Sequence, residues 1–279
     1  MYIEAVDYRD KNAKEKLVQS ILTKGFGVLK NHPISASLIE SAHQEWVKYF
    51  SSEEKHRDTF DPKIQAGYFP FKSENAKGHP QKDLKEFFHY YDWHPVPTIA
   101  STYTPKLRHE LIDVAQTLLS WIEDQSPSEV KENFSEPLQN FIKDSDQTLL
   151  RPIHYPPFSG EEEQGAVRAA AHEDINLITI LPAASAPGLE VKDLEGRWHQ
   201  VSCDPGMLVV NSGDMLQEAS GGYFPSTTHR VVNPSGELAK TSRYSMPLFL
   251  HPRSNVKLSE KHTAGSYLHE RLKELGLMS

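Results

Sequence analysis

The sequence predicts a mainly β protein with helices, in which a β sandwich or barrel is buttressed by a helical first half. Two observations carry this expectation. From about Thr148 onward short apolar runs recur every 8 to 15 residues between Pro, Gly, Asn and Ser, the spacing of a sandwich or barrel. Before that point the apolar residues mostly recur at helical spacing. The change of texture near residue 148 has no linker, and no internal repeat is visible, so the 279 residues are expected to form one domain. Its parts are an N-terminal helical and β region over 1–147, a β core over 148–252 and a C-terminal helix over 253–279.

Taken in order, Lys14 to Thr23 carries Leu17, Ile21 and Leu22 at helical spacing, and Gly25 stops this helix before the strand Phe26-Gly27-Val28-Leu29. A second amphipathic helix runs from Ser35 to Ser51 with Leu38, Ile39, Ala42, Trp46, Val47 and Phe50 on one face. Residues 60–80 read as surface loops, and the aromatic run Lys85 to Trp93 as a strand. Helices are expected over Leu107 to Glu123 and Phe134 to Ile142. The β core comprises Leu149 to Tyr155, Ile175 to Leu181, Leu189 to Val191, Trp198 to Val201, Met207 to Val210, His229 to Val232 and Tyr244 to Leu250. His262 to Leu277 returns to helical spacing as a lid or brace.

Composition narrows the function. Hydrophobic residues at 38% and aromatic residues at 10% suffice for a buried core. The net charge is −8 and no basic run occurs, so the electrostatic footprint of a nucleic-acid partner is missing and a small-molecule substrate fits better. The single cysteine, Cys203, excludes an internal disulfide and a thiolate-rich zinc site. No 18 apolar residues run together and the N-terminus lacks a signal core, so a cytoplasmic, membrane-free protein is expected, as a monomer or weak homodimer.

Within the run Ala171 to Ile180, His172 and Asp174 sit two apart, and on an extended strand both side chains point the same way. They are two thirds of a two-histidine, one-carboxylate metal site. His-x-Asp alone arises often by chance, so a third ligand is needed. His229, at the start of a later strand, is the candidate. Arg243 and Ser245 are also two apart on a strand, and a guanidinium fork beside a hydroxyl suits a carboxylate. Tyr155, on the strand entering the core, can add a phenolic hydrogen bond or simply pack.

The succession Tyr155-Pro156-Pro157, His172-x-Asp174, Pro187-Gly188-Leu189-Glu190-Val191, Trp198, Asn211-Ser212-Gly213-Asp214-Met215, His229-Arg230-Val231 and Arg243-x-Ser245 resembles the iron(II)/2-oxoglutarate-dependent dioxygenases. The resemblance is to their isopenicillin N synthase-like branch with the plant flavonoid and gibberellin oxygenases. Upstream, Gly25-Phe26-Gly27-Val28-Leu29-Lys30-Asn31-His32 and Lys82-Asp83-Leu84-Lys85-Glu86-Phe87-Phe88 resemble two further stretches of that branch. The resemblance implies a double-stranded β-helix, or jelly roll, with N-terminal helices outside. It implies Fe(II) held by His172, Asp174 and His229, and 2-oxoglutarate chelating the iron with its far carboxylate on Arg243 and Ser245 and Tyr155 helping to position it. Dioxygen would be the oxidant, with ascorbate a candidate reductant, and a C–H bond of a small molecule would be hydroxylated or otherwise oxidised. Two departures touch the cosubstrate end. The segment Asn233 to Lys240 lengthens the interval between His229 and Arg243, and Ile153 stands where plant members usually carry Asn. The alternatives are an oxidase of the same fold that does without 2-oxoglutarate, its Arg-x-Ser pair gripping the substrate's own carboxylate, and a noncatalytic binding relative. Phe88, Tyr90, His154 and Phe249 are candidate pocket residues, with core packing as the competing role.

Overall fold

The structure is a computed structural model describing residues 3–61, 63–75, 80–193, 195–202 and 204–274. The first half contributes β1 (Ala5–Asp7), α1 (Ala13–Lys24), β2 (Phe26–Lys30), α2 (Ala36–Phe50), β3 (Gly67–Phe69), β4 (Glu86–His89), α3 (Thr104–Gln125), α4 (Ser128–Lys131) and α5 (Leu138–Phe141). The second half contributes β5 (Leu149–Leu150), β6 (Ile153–Tyr155), β7 (Ala169–His172), β8 (Ile178–Pro182), β9 (Leu189–Lys192), β10 (Trp198–Gln200) and β11 (Leu208–Ser212). After these come α6 (Asp214–Ala219), β12 (His229–Val231), β13 (Arg243–Ser245), β14 (Leu248–Leu250) and α7 (Ala264–Glu274).

Three sheets result. One has the order β1-β2-β11-β8-β14-β5, one β10-β9-β12-β7 and one β13-β6-β4-β3. The two-residue alternation of strands decides what lies on each face of the largest sheet. Leu29, Ile178, Ile180, Leu208, Val210, Leu248 and Leu250 form one apolar layer with Leu17 and Ile21 of α1 and Leu111 and Leu118 of α3. On the opposite face, Phe26, Val28 and Val209 meet Leu189 and Val191 of the second sheet. A third cluster joins Phe69, Phe87, Ile153 and Tyr155 of the third sheet to Ala169 of β7 and Val231 of β12. The molecule is therefore a β-rich fold with helices on the outer face of its largest sheet. Among the described residues no helix is long and apolar enough to cross a membrane.

Several elements differ from the sequence expectation. The strand-like run from Ala171 to Ile180 belongs to two strands, because β7 ends at His172 and β8 begins at Ile178 in a different sheet. Asn176 holds the break open, donating from Nδ2 to the Ile178 carbonyl at 2.8 Å and to Thr179 Oγ1 at 3.0 Å. Likewise Leu149 to Tyr155 is divided at Arg151-Pro152, and Tyr244 to Leu250 at Met246-Pro247, where proline removes a ladder donor. The helix expected over Phe134 to Ile142 shrinks to one turn that starts after Pro137. The aromatic strand ends at His89 and all four of its residues are buried, Phe87 in the third cluster and Phe88 in the main core. The last helix spans Ala264–Glu274, and Leu275 to Leu277 fall outside the described residues.

Candidate metal and cosubstrate site

His172 ends β7, His229 begins β12, and the two are direct cross-strand partners. Asp174 lies two residues past β7, in the turn leading to β8, and so owes its inward direction to that turn and not to strand alternation. One ligand atom from each of the three lies within 4.8 Å of the others. Nε2 of His229 is 3.7 Å and Nε2 of His172 3.9 Å from Oδ1 of Asp174.

The remaining polar atoms of the three residues are already engaged. Nδ1 of His172 lies 2.8 Å from the Ala170 carbonyl, and Nδ1 of His229 lies 3.1 Å from the Thr227 carbonyl. A carbonyl can only accept, so each Nδ1 carries the hydrogen and each Nε2 presents a lone pair. Oδ2 of Asp174 accepts from Thr179 Oγ1 at 2.6 Å and from Asn211 Nδ2 at 2.8 Å, which leaves Oδ1 facing the imidazoles. Thr179 and Asn211 are register partners on β8 and β11. Both alternate with residues of the helix-covered layer, so they point to the interior where the turn brings Asp174.

Burial pushes the His172 imidazole down to about 4, aided by His229 and opposed by Asp174, so it is neutral at pH 7. Although packed deep in the protein, 38% of its side chain is accessible, as expected of a group facing an internal space. Burial works against the Asp174 carboxylate, but the adjacent imidazoles and the two hydrogen bonds outweigh it and hold its pKa below the usual range.

Two glycines permit this assembly. Gly25 ends α1 in the left-handed region at φ 69°, and a Cβ there would sit 1.8 Å from Thr227 Oγ1, in the loop that orients His229. At Gly213 a Cβ would lie 2.2 Å from the Asn176 carbonyl and 2.8 Å from that of Asp174.

The second predicted group forms on the neighbouring strands. Arg243 pairs in register with Tyr155 and Ser245 with Ile153, which puts Arg243, Ser245 and Tyr155 together, each almost fully buried. The Arg243 guanidinium lies 5.1 Å from the Tyr155 ring centre, and its Nε donates to the Ala186 carbonyl at 3.0 Å. Its Nη1 is buried without a partner. A buried donor left unmade is costly, and a bound carboxylate would satisfy it. The chemistry of both groups fits the expected ligands: two neutral imidazoles and one carboxylate for a ferrous ion, and a guanidinium with a hydroxyl for a carboxylate.

The four pocket candidates separate. Phe88 and Tyr90 belong to the main core, Phe88 packing on Trp46 and Tyr49. His154 is bridged between Glu86 at 2.7 Å and Ser242 at 2.9 Å and stacks on Tyr244, away from the triad. Phe249 is half-buried with the Arg151 guanidinium 5.2 Å from its ring. Sequence reasoning did not find the ion pairs that adjoin the triad. Lys85 bonds Asp83 at 2.8 Å and Glu74 at 3.0 Å, and Asp83 also accepts from the Ala170 backbone at 3.0 Å. Nor did it assign roles to Thr179 and Asn211; their small polar side chains inside otherwise apolar strands were the available signal.

Comparison with known proteins agrees with this geometry. The family of the 2OG-Fe(II) oxygenase superfamily matches residues 145–252, and that of the non-haem dioxygenase N-terminal region, described for morphine synthesis, matches 3–110. A Shewanella oneidensis protein provisionally described as an oxygenase has a crystal structure with a TM-score of 0.91 and 48% identity, covering 100% of both chains. Gibberellin 2-beta-dioxygenase 3 of Arabidopsis thaliana is 26% identical over 92% of this chain and 77% of its own length. A full-length Neurospora crassa protein crystallised in complex with alpha-KG is similar in fold, with a TM-score of 0.78 and 24% identity over 97% and 95% of the two chains. With its two regions matched in order, its buried cluster of two histidines and an aspartate, and these relatives, the chain belongs to the 2OG-Fe(II) oxygenase superfamily.

Proposed function

We propose that His172 and His229 through Nε2, and Asp174 through Oδ1, hold Fe(II), while Arg243, Ser245 and Tyr155 hold the far carboxylate of 2-oxoglutarate. The enzyme is a 2-oxoglutarate-dependent iron oxygenase, and on this assignment these six residues carry its cofactors. One observation supports the triad above all: every other polar atom of its three side chains is hydrogen-bonded elsewhere, so the donors within 4.8 Å are free for a metal. When bound, iron and the keto acid supply dioxygen activation, with oxidative decarboxylation to succinate and carbon dioxide and oxidation of a substrate C–H bond. The protein keeps the His172 imidazole neutral by burial, keeps Asp174 ionised with the help of Thr179 and Asn211, and orients the cosubstrate by its distal end.

We read the two facing sheets as a double-stranded β-helix and the whole chain as one oxygenase domain; the shared apolar cluster between β2, β9 and β11 supports this reading. The substrate would be a small organic molecule, consistent with relatives named for gibberellin and crystallised with thymine. A monomer or weak dimer is in keeping with its large exposed apolar residues, Ile64, Phe71, Trp93, Tyr103 and Leu238, which are scattered along the sequence.

The test is an anaerobic titration with Fe(II) and then 2-oxoglutarate, followed by visible absorption. The expected result is a weak charge-transfer band that needs both additions and is lost in Asp174→Ala. Full band intensity in that variant would refute the triad, and a band absent from the wild-type protein would refute the cosubstrate assignment.

A further inference from the structure

A second arginine lies beside the Tyr155–Arg243 pair. Arg168, immediately before β7, is 1% exposed, and its guanidinium carbon is 5.9 Å from the Tyr155 ring centre, against 5.1 Å for that of Arg243. Its Nη2 donates to the Thr241 carbonyl at 3.2 Å, while its Nε is buried without a partner. Among the described residues neither arginine has a carboxylate partner. Arg108, by contrast, pairs with Asp92 at 3.1 Å, and the nearby Glu190 is already taken by Arg230 at 2.8 Å. Two desolvated cations on one tyrosine, with no counter-charge, are mutually unfavourable, and an anion between them would offset that cost. Burial and the charge of Arg243 both weaken the protonated form of Arg168.

A cavity opens beside Arg168, although Arg243, Tyr155 and Ser245 do not line it and Glu190 does. Its volume is about 220 Å³, and it is also lined by Ala186, Pro187, Val232, Asn233 and Leu238. Ala186 is the residue whose carbonyl holds Arg243 Nε, so the cavity adjoins the supports of both arginines. The segment from Asn233 to Lys240, which lengthens the interval between His229 and Arg243, builds this corner. Asn233 accepts from the Arg168 backbone at 2.9 Å and donates to the Ala166 carbonyl at 2.8 Å, and the segment ends next to Thr241, the acceptor for Arg168.

We infer that Arg168 is a second guanidinium of the cosubstrate pocket, acting with Arg243 on the distal carboxylate of the keto acid and giving this enzyme a strong preference for dicarboxylic over monocarboxylic keto acids. The inference rests on the cosubstrate assignment above but can fail separately from it.

The test measures binding without turnover. Dissociation constants of 2-oxoglutarate and of 2-oxobutyrate, which lacks the distal carboxylate, are determined by anaerobic calorimetry on the Mn(II)-loaded protein, for wild type, Arg168→Gln and Arg168→Lys. Losing a charge-assisted hydrogen bond should weaken 2-oxoglutarate about 10-fold or more in Arg168→Gln, with 2-oxobutyrate unchanged. Arg168→Lys keeps the charge without the planar fork, should fall between, and decides the matter if the Gln variant does not fold. A strut with no ligand role would move both keto acids equally or neither, and either outcome in a folded variant overturns the inference. Failure of the wild-type protein to bind 2-oxoglutarate would instead overturn the cosubstrate assignment.

Discussion

The carboxylate of Asp174 divides its two oxygens between separate tasks. Oδ1 faces the imidazoles, and Oδ2 is fixed by Thr179 at 2.6 Å and Asn211 at 2.8 Å. These bonds favour the ionised form and set the rotation of the group, as partners behind a metal ligand commonly do. Thr179→Val preserves shape on β8 and removes the hydroxyl that serves both Asp174 and Asn176. The expected outcome is a folded protein with divalent-metal affinity reduced about 10-fold at pH 7, within the range for such partners. A Co(II) titration reads it, and an unchanged affinity would show that Asn211 alone suffices.

At the scale of elements, the site depends on a close crossing between the turn after β7 and the start of α6. Gly213 precedes α6, its own N–H bonds the Leu177 carbonyl at 3.0 Å, and the next N–H bonds the Asp174 carbonyl at 2.8 Å. Gly213→Ala would press a methyl into the Asn176 and Asp174 carbonyls, and backbone atoms cannot swing away as a side chain can. Overpacking of this kind costs about 1–3 kcal/mol. Reduced chemical-denaturation stability together with weakened metal binding is expected; a fully stable variant with native metal affinity would mean that the turn relaxes freely. This crossing also marks the boundary of what the sequence could convey. The order of the chemistry-bearing residues and the alternation of the apolar strands were legible, because a local period of two or 3.6 needs no partner to be read. The division of residues 171–181 between two sheets was not, because Ile178 and Ile180 look the same whichever sheet receives them. His172 and Asp174 do converge, but through a turn fixed by Asn176 and Gly213, a tertiary cause that strand alternation merely imitates. Arg168 was equally hidden: only the fold reveals that, among the described residues, no carboxylate pairs with it and that Glu190 is taken by Arg230.

For the whole molecule, the proposed metal ligands stand at a junction. His172 and His229 come from one sheet, whereas Asp174 is tied by Thr179 and Asn211 to the facing one, so a bound ion would clip the two sheets together. Without the ion, acidification should destabilise the fold. His172 and His251 are both pushed down to about 4 by burial, so between about pH 6.5 and 4 the unfolded chain takes up protons that the folded one refuses. Stability therefore falls as pH drops through that window. With metal at 100 times its dissociation constant, binding to the folded state alone adds about 2.7 kcal/mol. For a chain of this size that corresponds to a rise in Tm of roughly 5 °C. Mn(II) under anaerobic conditions should produce this rise at pH 7, a chelator should reverse it, and Asp174→Ala should abolish it. An unchanged Tm in the wild-type protein would mean that no ion is held at the junction of the sheets.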